Sequence, residues 1–214
     1  MLVKKFFFVL LFSPLLLAQI NSPAEYFPLK DGMKWKSIIP GKDMEYKPNK
    51  EYVTNDYQVK KDKNQYIITK IFTIAGISST SKVIYEIHKD GIYEVASGDN
   101  GLAVLLSSDK NANPPFTIKF HSHPYLFLKF PLKLGTKWTV NEDNGSKITK
   151  EVADIREICE IKIPNKPIIK YHDVILIKET DYPVNLSKYE YYAKGVGLIK
   201  EELPDGTLFS YLDY

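Results

Sequence analysis

Histidine is the first residue type in this chain that could do chemistry. His121-Ser122-His123 is the only close pair among four histidines. On a strand, alternate side chains share a face, so both rings would point one way, as a metal chelate requires. A third ligand is missing nearby, and His88 and His172 can serve only if the fold carries them there. Two surface or edge histidines are therefore expected, and no metal site is assigned. Cys159 is the sole cysteine, which excludes a disulfide scaffold, a cysteine-based zinc site and an iron–sulfur cluster. It alternates with charge in Cys159-Glu160-Ile161-Lys162-Ile163, so it is expected on the inward face of a strand with Ile161 and Ile163, buried and inert. Glu201 and Glu202 are adjacent and on a strand face opposite ways, so they cannot share a substrate. Arg156 is the only arginine, leaving little capacity for clamping phosphate or carboxylate. Serine nucleophile elbows, HExxH helices, Walker loops and EF-hand loops are absent from the sequence. The chain is read as non-enzymatic, with no catalytic residue and no cofactor.

The aromatic residues offer binding chemistry instead. Pro124-Tyr125-Leu126-Phe127-Leu128-Lys129-Phe130 is the most apolar stretch beyond the N-terminus, and it reads either as a core strand or as a greasy wall for a hydrophobic guest. Tyr125 and Phe127, with the only two tryptophans, Trp35 and Trp138, are the candidate ligand wall. A buried indole in a β core is the plainer fate of each tryptophan.

The elements that must position these residues count in twos. Fifteen Tyr, eleven Phe and many Ile and Val lie in runs between turn signals, which points to an all-β fold of antiparallel meanders. Gln65–Ile74 is one long strand-like run. Val83–Ile87 meets Ile92–Val95 across His88-Lys89-Asp90-Gly91, where the glycine is expected to supply a positive φ. Gly98-Asp99-Asn100-Gly101, Asp143-Asn144-Gly145 and Pro204-Asp205-Gly206 read as further turns. Val174-Ile175-Leu176-Ile177 is apolar on both faces, as in a strand covered on both sides. Val152, Ile155 and Ile158 are spaced three apart, so 149–157 reads as a strand with a bulge or, alternatively, a short helix.

A repeat organises the whole. Phe27-Pro28-Leu29-Lys30-Asp31-Gly32-Met33-Lys34-Trp35 returns as Phe130-Pro131-Leu132-Lys133-Leu134-Gly135-Thr136-Lys137-Trp138, with seven of nine positions identical. Two related halves, 26–129 and 130–214, are expected to build one β domain over 19–214, as a half-barrel or a barrel. In Gly195-Val196-Gly197, two glycines bracket a β-branched residue, which suits a sharp bend or close backbone packing rather than a phosphate loop. The opening Tyr26-Phe27-Pro28-Leu29-x-x-Gly32-x-x-Trp35 and the closing Tyr191-Tyr192-Ala193-Lys194-Gly195-Val196-Gly197-Leu198-Ile199-Lys200 together resemble a widespread, largely uncharacterised family of exported bacterial β proteins. The resemblance implies a strongly curved antiparallel sheet and transfers no functional residue.

Residues 1–18 read as a secretory signal: cationic Lys4-Lys5, then an apolar run from Phe6 to Ala18 too short to span a bilayer comfortably. Cleavage after Ala18 starts the mature chain at Gln19, with an uncleaved anchor as the alternative. Without Lys4 and Lys5, 27 Lys+Arg face 26 Asp+Glu. Nucleic-acid binding, which needs a basic patch, is not expected. The sequence points to an exported protein, periplasmic or extracellular, without a stable membrane span after signal removal, that binds an apolar small molecule or an envelope component. A structural or adhesive module pairing through its sheet edges is the alternative, and a hydrolase of cell-wall or lipid substrates ranks last.

Overall fold

Alternating apolar and polar residues between turns produce twelve strands and one helical turn in the computed structural model, which describes residues 22–39, 53–74, 77–100, 116–163, 166–182 and 184–213. The predicted signal at 1–18 lies outside the described residues, as does Gly101. A single turn of helix, α1 (Pro23–Tyr26), precedes β1 (Lys34–Ile39), β2 (Val53–Asp62), β3 (Gln65–Ile74), β4 (Ile77–Ile87), β5 (Gly91–Asp99) and β6 (Lys119–Lys129). A second run of six follows: β7 (Lys137–Asn141), β8 (Lys147–Ile161), β9 (Ile169–Tyr182), β10 (Leu186–Ala193), β11 (Gly197–Glu202) and β12 (Leu208–Asp213). All twelve form one antiparallel meander in the order β6-β5-β4-β3-β2-β1-β12-β11-β10-β9-β8-β7, curled into a nearly closed barrel. Among the described residues, no helix is long and apolar enough to cross a membrane.

The two Phe-Pro-Leu-Lys phrases open β1 and β7 in the same way. Gly32 and Gly135 adopt φ of 74° and 79°. The Gly32 N–H donates to Val59 O and the Val59 N–H to Met33 O (3.0 and 2.9 Å), while Gly135 and Thr136 make the same pair of bonds with Val152 (2.8 and 2.9 Å). Each phrase thus docks its turn onto a fully buried valine of the following strand. A Cβ at either glycine would meet nothing within 4 Å. Gly32→Ala and Gly135→Ala are therefore expected to cost only the left-handed backbone strain, about 1–2 kcal/mol each, read as a lowered urea midpoint with unchanged slope.

The halves join by a backbone ladder on one side and by side chains on the other. β1 pairs with β12 through Ile38 and Tyr211 and their neighbours. Among the described residues, no ladder links β6 to β7. There the Trp138 indole N–H donates to Leu126 O (3.0 Å), Asp143 accepts from the Ser122 N–H and hydroxyl, and the Asp143 N–H donates to the Tyr125 hydroxyl (2.7 Å).

Both faces of part of the sheet are buried. One apolar cluster, drawn from strands all round the barrel, fills the interior with Val59, Ile92, Leu128, Trp138, Val152, Ile175 and Tyr192 among others. A second lies on the outer face of β1 and β9–β12, under the far ends of β8 and β9. These ends run past the last β9–β10 pair, Val174 with Ala193, and their connection reaches β12 where Lys166 pairs with Asp213 (2.8 Å). Val174, Ile175, Leu176 and Ile177 are accordingly buried whichever way they point.

The strand with a bulge expected at 149–157 holds, and the expectations for Cys159, Gly91 and Gly98 need correction. The stretch 149–157 is strand throughout, with a one-residue bulge between Val152 and Asp154, so Val152 is buried while Ile155 and Ile158 are exposed. Cys159, Ile161 and Ile163 are buried together, but in the outer cluster rather than the barrel interior. Gly91 has no positive φ; it is needed because a Cβ there would come within 2.5 Å of Leu126 Cδ1 and 2.7 Å of Leu128 O. Similarly, Gly98 continues β5 instead of opening a turn.

Candidate functional site

The barrel interior holds a cavity of about 290 Å3. Its wall begins with Trp35, whose strand neighbour Tyr57 stacks on it at 4.9 Å and 7° between planes. Phe127 forms the opposite part. A register shift between β5 residues Ile92 and Tyr93 leaves Phe127 as the extra residue between Leu126 and Leu128, which turns its ring inward beside Leu128. There it packs on Tyr85 (5.1 Å) and Phe27 (5.4 Å). Leu198, Val83 and Tyr192 are among the other apolar residues of the lining.

Beyond these rings the inward positions become polar. Lys150 on β8, Glu179 on β9, Lys188 and Glu190 on β10, Glu201 on β11 and Ser210 on β12 follow one another across the ladders. Lys150 lies between Glu179 (2.8 Å) and Glu190 (3.2 Å), with its ammonium 4.6 Å from the centre of the Phe127 ring. Lys188 reaches Glu201 (2.8 Å), Glu190 (3.1 Å) and Glu179 (3.5 Å). Glu190 and Glu201 are like charges directly opposite each other, a destabilising arrangement that Lys188 neutralises. Burial pushes the Glu190 carboxyl up, but Lys150 and Lys188 outweigh it and hold the group down at about 2. Burial likewise opposes the charge on Lys150, and Glu190 and Glu179 raise it regardless.

One half-buried cation in the wall is not so matched; the exposed Lys34 of the lining also forms no ion pair among the described residues. Lys70 on β3 lines the cavity, with Tyr57 opposite it on β2 and Ser81 opposite it on β4. Among the described residues, no carboxylate lies within ion-pairing distance of its ammonium, which sits 5.9 Å from the centre of the Tyr57 ring. Burial lowers its pKa, Glu201 pulling it back upward. Each oxygen of Glu201 already has a partner: Oε1 takes Lys188 and Oε2 takes the Ser210 hydroxyl (2.7 Å).

Of the four residues proposed for a ligand wall, Trp35 and Phe127 line the cavity, and Tyr125 and Trp138 do not. Trp138 is packed into the core, 6% exposed, and committed to Leu126 O. Tyr125 instead stacks on His121 at 3.8 Å. The shared face expected for His121 and His123 is lost because five residues of β6 (Phe120 to Tyr125) advance against only two of β5 (Glu94 to Ala96), which pushes 121–124 out of the ladder around Pro124. His121 then contacts Glu94 (3.0 Å) and Asp143 (3.7 Å), while His123 is exposed. His88, in the β4–β5 turn, contacts Glu86, and His172 is exposed on β9. Among the described residues, no three His, Cys, Asp or Glu side chains are placed to hold a metal. Burial raises the Cys159 thiol, against the pull of Lys200 and Arg156. Glu201 faces the interior and Glu202 meets Tyr191 and Lys200 outside, the opposed orientation expected of neighbours on a strand.

Tyr57, Lys70, Lys150, Lys188 and Glu190 carry much of the interior chemistry, and sequence reasoning missed them. The available signal was Lys188-Tyr189-Glu190-Tyr191-Tyr192, where alternate positions bear charge on a strand too aromatic to face water on one side. No protein-family model, curated protein or solved structure matches the chain.

Proposed function

We propose that this chain is an exported, non-enzymatic β protein of the bacterial cell envelope whose barrel binds a small molecule with an apolar body. The observation that carries the reading is the interior cavity walled by Trp35, Phe127 and Tyr85. At about 290 Å3 it is roughly twice the ~150 Å3 of an apolar cavity that takes up benzene, room for a short-chain or two-ring guest. The flanking ion pairs support this reading because they stiffen the wall: the carboxylates beside the cavity are bound by lysines. Export rests on the N-terminal apolar run and on the resemblance of the opening and closing phrases to exported β proteins.

An adhesive module has less behind it. The two terminal strands of the sheet, β6 and β7, face each other across the Trp138–Leu126 contact and so offer little free edge to a partner. Native mass spectrometry of protein purified from its source tests the proposal. The expected spectrum is a chain starting at Gln19 with a co-purifying small-molecule mass released on activation. A bare mass together with specific pull-down partners supports the module instead, and a mass retaining residues 1–18 overturns removal of the signal. Turnover of cell-wall or lipid substrate that disappears in His121→Ala would make the protein an enzyme.

A further inference from the structure

The cavity wall is not uniformly apolar, and its polar groups are not equivalent. Beside the wall Lys150 and Lys188 are paired with three glutamates, and in it Glu201 takes Lys188 on one oxygen and Ser210 on the other. Lys70 alone among these interior cations has no carboxylate in reach among the described residues. An ammonium half withdrawn from water and left without a counter-ion is costly, so it favours a ligand that brings the missing charge. The neighbours add donors: Tyr57 and Ser81 sit on either side of Lys70 in the ladder and carry hydroxyls. The Tyr57 hydroxyl is kept protonated by burial, with a hydrogen bond to Ser37 pulling the other way. One ammonium flanked by hydroxyls matches a singly charged head. A phosphate dianion would call for the forked donors of arginine, and Arg156 is paired with Asp154 outside the cavity wall (2.8 Å).

We propose that the cavity binds an amphipathic monocarboxylate, its carboxylate on the Lys70 ammonium between the Tyr57 and Ser81 hydroxyls and its apolar body against Trp35, Tyr85 and Phe127. The proposal rests on the carrier reading and goes beyond it by specifying the head group. A cationic head is disfavoured by Lys70 itself, whose ammonium lines the same wall.

Titration of the mature protein with decanoate, decan-1-ol and decylammonium, followed by quenching of tryptophan fluorescence, separates the two levels of the claim. Decanoate is expected to bind about tenfold or more tightly than decan-1-ol, the worth of one charge-assisted hydrogen bond, with decylammonium weakest. Lys70→Met should bring decanoate down to the level of decan-1-ol and leave the alcohol's affinity unchanged. Trp35→Phe, which removes the reporting indole and is therefore followed by titration calorimetry, should weaken decanoate and decan-1-ol together. Because Lys70 has no ion pair to lose among the described residues and its burial is costly, Lys70→Met should keep or raise the wild-type urea midpoint, so loss of decanoate binding cannot come from unfolding. Equal affinity for decanoate and decan-1-ol, or a Lys70→Met protein that still prefers decanoate, overturns the carboxylate and leaves the carrier standing. Failure of all three probes to bind overturns both.

Discussion

Lys150→Met is expected to lower the unfolding free energy by about 3 kcal/mol, measured from urea melts at neutral pH. Removing one partner of a buried ion pair typically costs 3–5 kcal/mol, because the charge left behind cannot return to water. The lower end applies here because Lys188 still reaches both orphaned carboxylates, Glu190 at 3.1 Å and Glu179 at 3.5 Å. If the loss comes from the stranded charges rather than from lost packing, adding Glu179→Gln and Glu190→Gln to Lys150→Met should return most of it. An unchanged midpoint in the single variant would mean that the network contributes nothing to holding β8, β9 and β10 together. Acid supplies an independent readout. The Glu190 carboxyl is held at about 2 in the folded chain against an ordinary value of 4.5. Folding therefore gains its contribution fully above 4.5, and that gain drains away as pH falls from there toward 2, where the unfolded chain takes up a proton the folded chain refuses. The wild-type protein should lose stability through this window, and Glu190→Gln should flatten the slope.

Trp138→Ala is expected to cost about 3–5 kcal/mol, the usual range for deleting a buried large aromatic. Trp35→Ala should cost markedly less. The two tryptophans occupy equivalent places in matching phrases, yet Trp138 is 6% exposed within the core while Trp35 is only half-buried against the cavity. Trp138 also carries the seam, since its N–H bonds Leu126 O where no backbone ladder joins β6 to β7 among the described residues. Hydrogen exchange should therefore quicken selectively in β6 and β7 of the variant. Trp138→Phe separates packing from the hydrogen bond: it keeps most of the ring but leaves the Leu126 carbonyl unpaired, for about 1–3 kcal/mol. Equal losses for Trp35→Ala and Trp138→Ala would contradict the division of labour between cavity wall and seam.

How legible these features were depends on how local their causes are. The period of two comes from the pleat itself, so strands such as Gln65–Ile74 and the Val83–Ile87 hairpin stand out in the chain. Turn glycines such as Gly145 and Gly206, with φ of 88° and 84°, announce themselves by residue type. The shared face expected of His121 and His123 was lost because Pro124 and a register shift with β5 displaced them from the ladder, and register is a property of two strands rather than one. Phe127 was found as a candidate wall residue, although the inward turn of its ring depends on another bulge of the same kind. The polar residues inside the barrel escaped notice because β10 is covered on both faces: Lys188 and Glu190 point to the interior while Tyr189 and Tyr191 point to the outer cluster.

What the chain alone determined is its β character, the doubled Phe-Pro-Leu-Lys phrase with its glycine turn, and the double-sided burial of Val174–Ile177, all consequences of side-chain size, backbone freedom and alternation over a few residues. Only the tertiary structure decided that one tryptophan became core and the other cavity wall, that three lysines faced inward, and that Lys70 among them has no carboxylate in reach among the described residues. Those outcomes turn on which strands become neighbours around a closing sheet. That choice is settled by contacts between residues far apart in sequence, which no local pattern encodes.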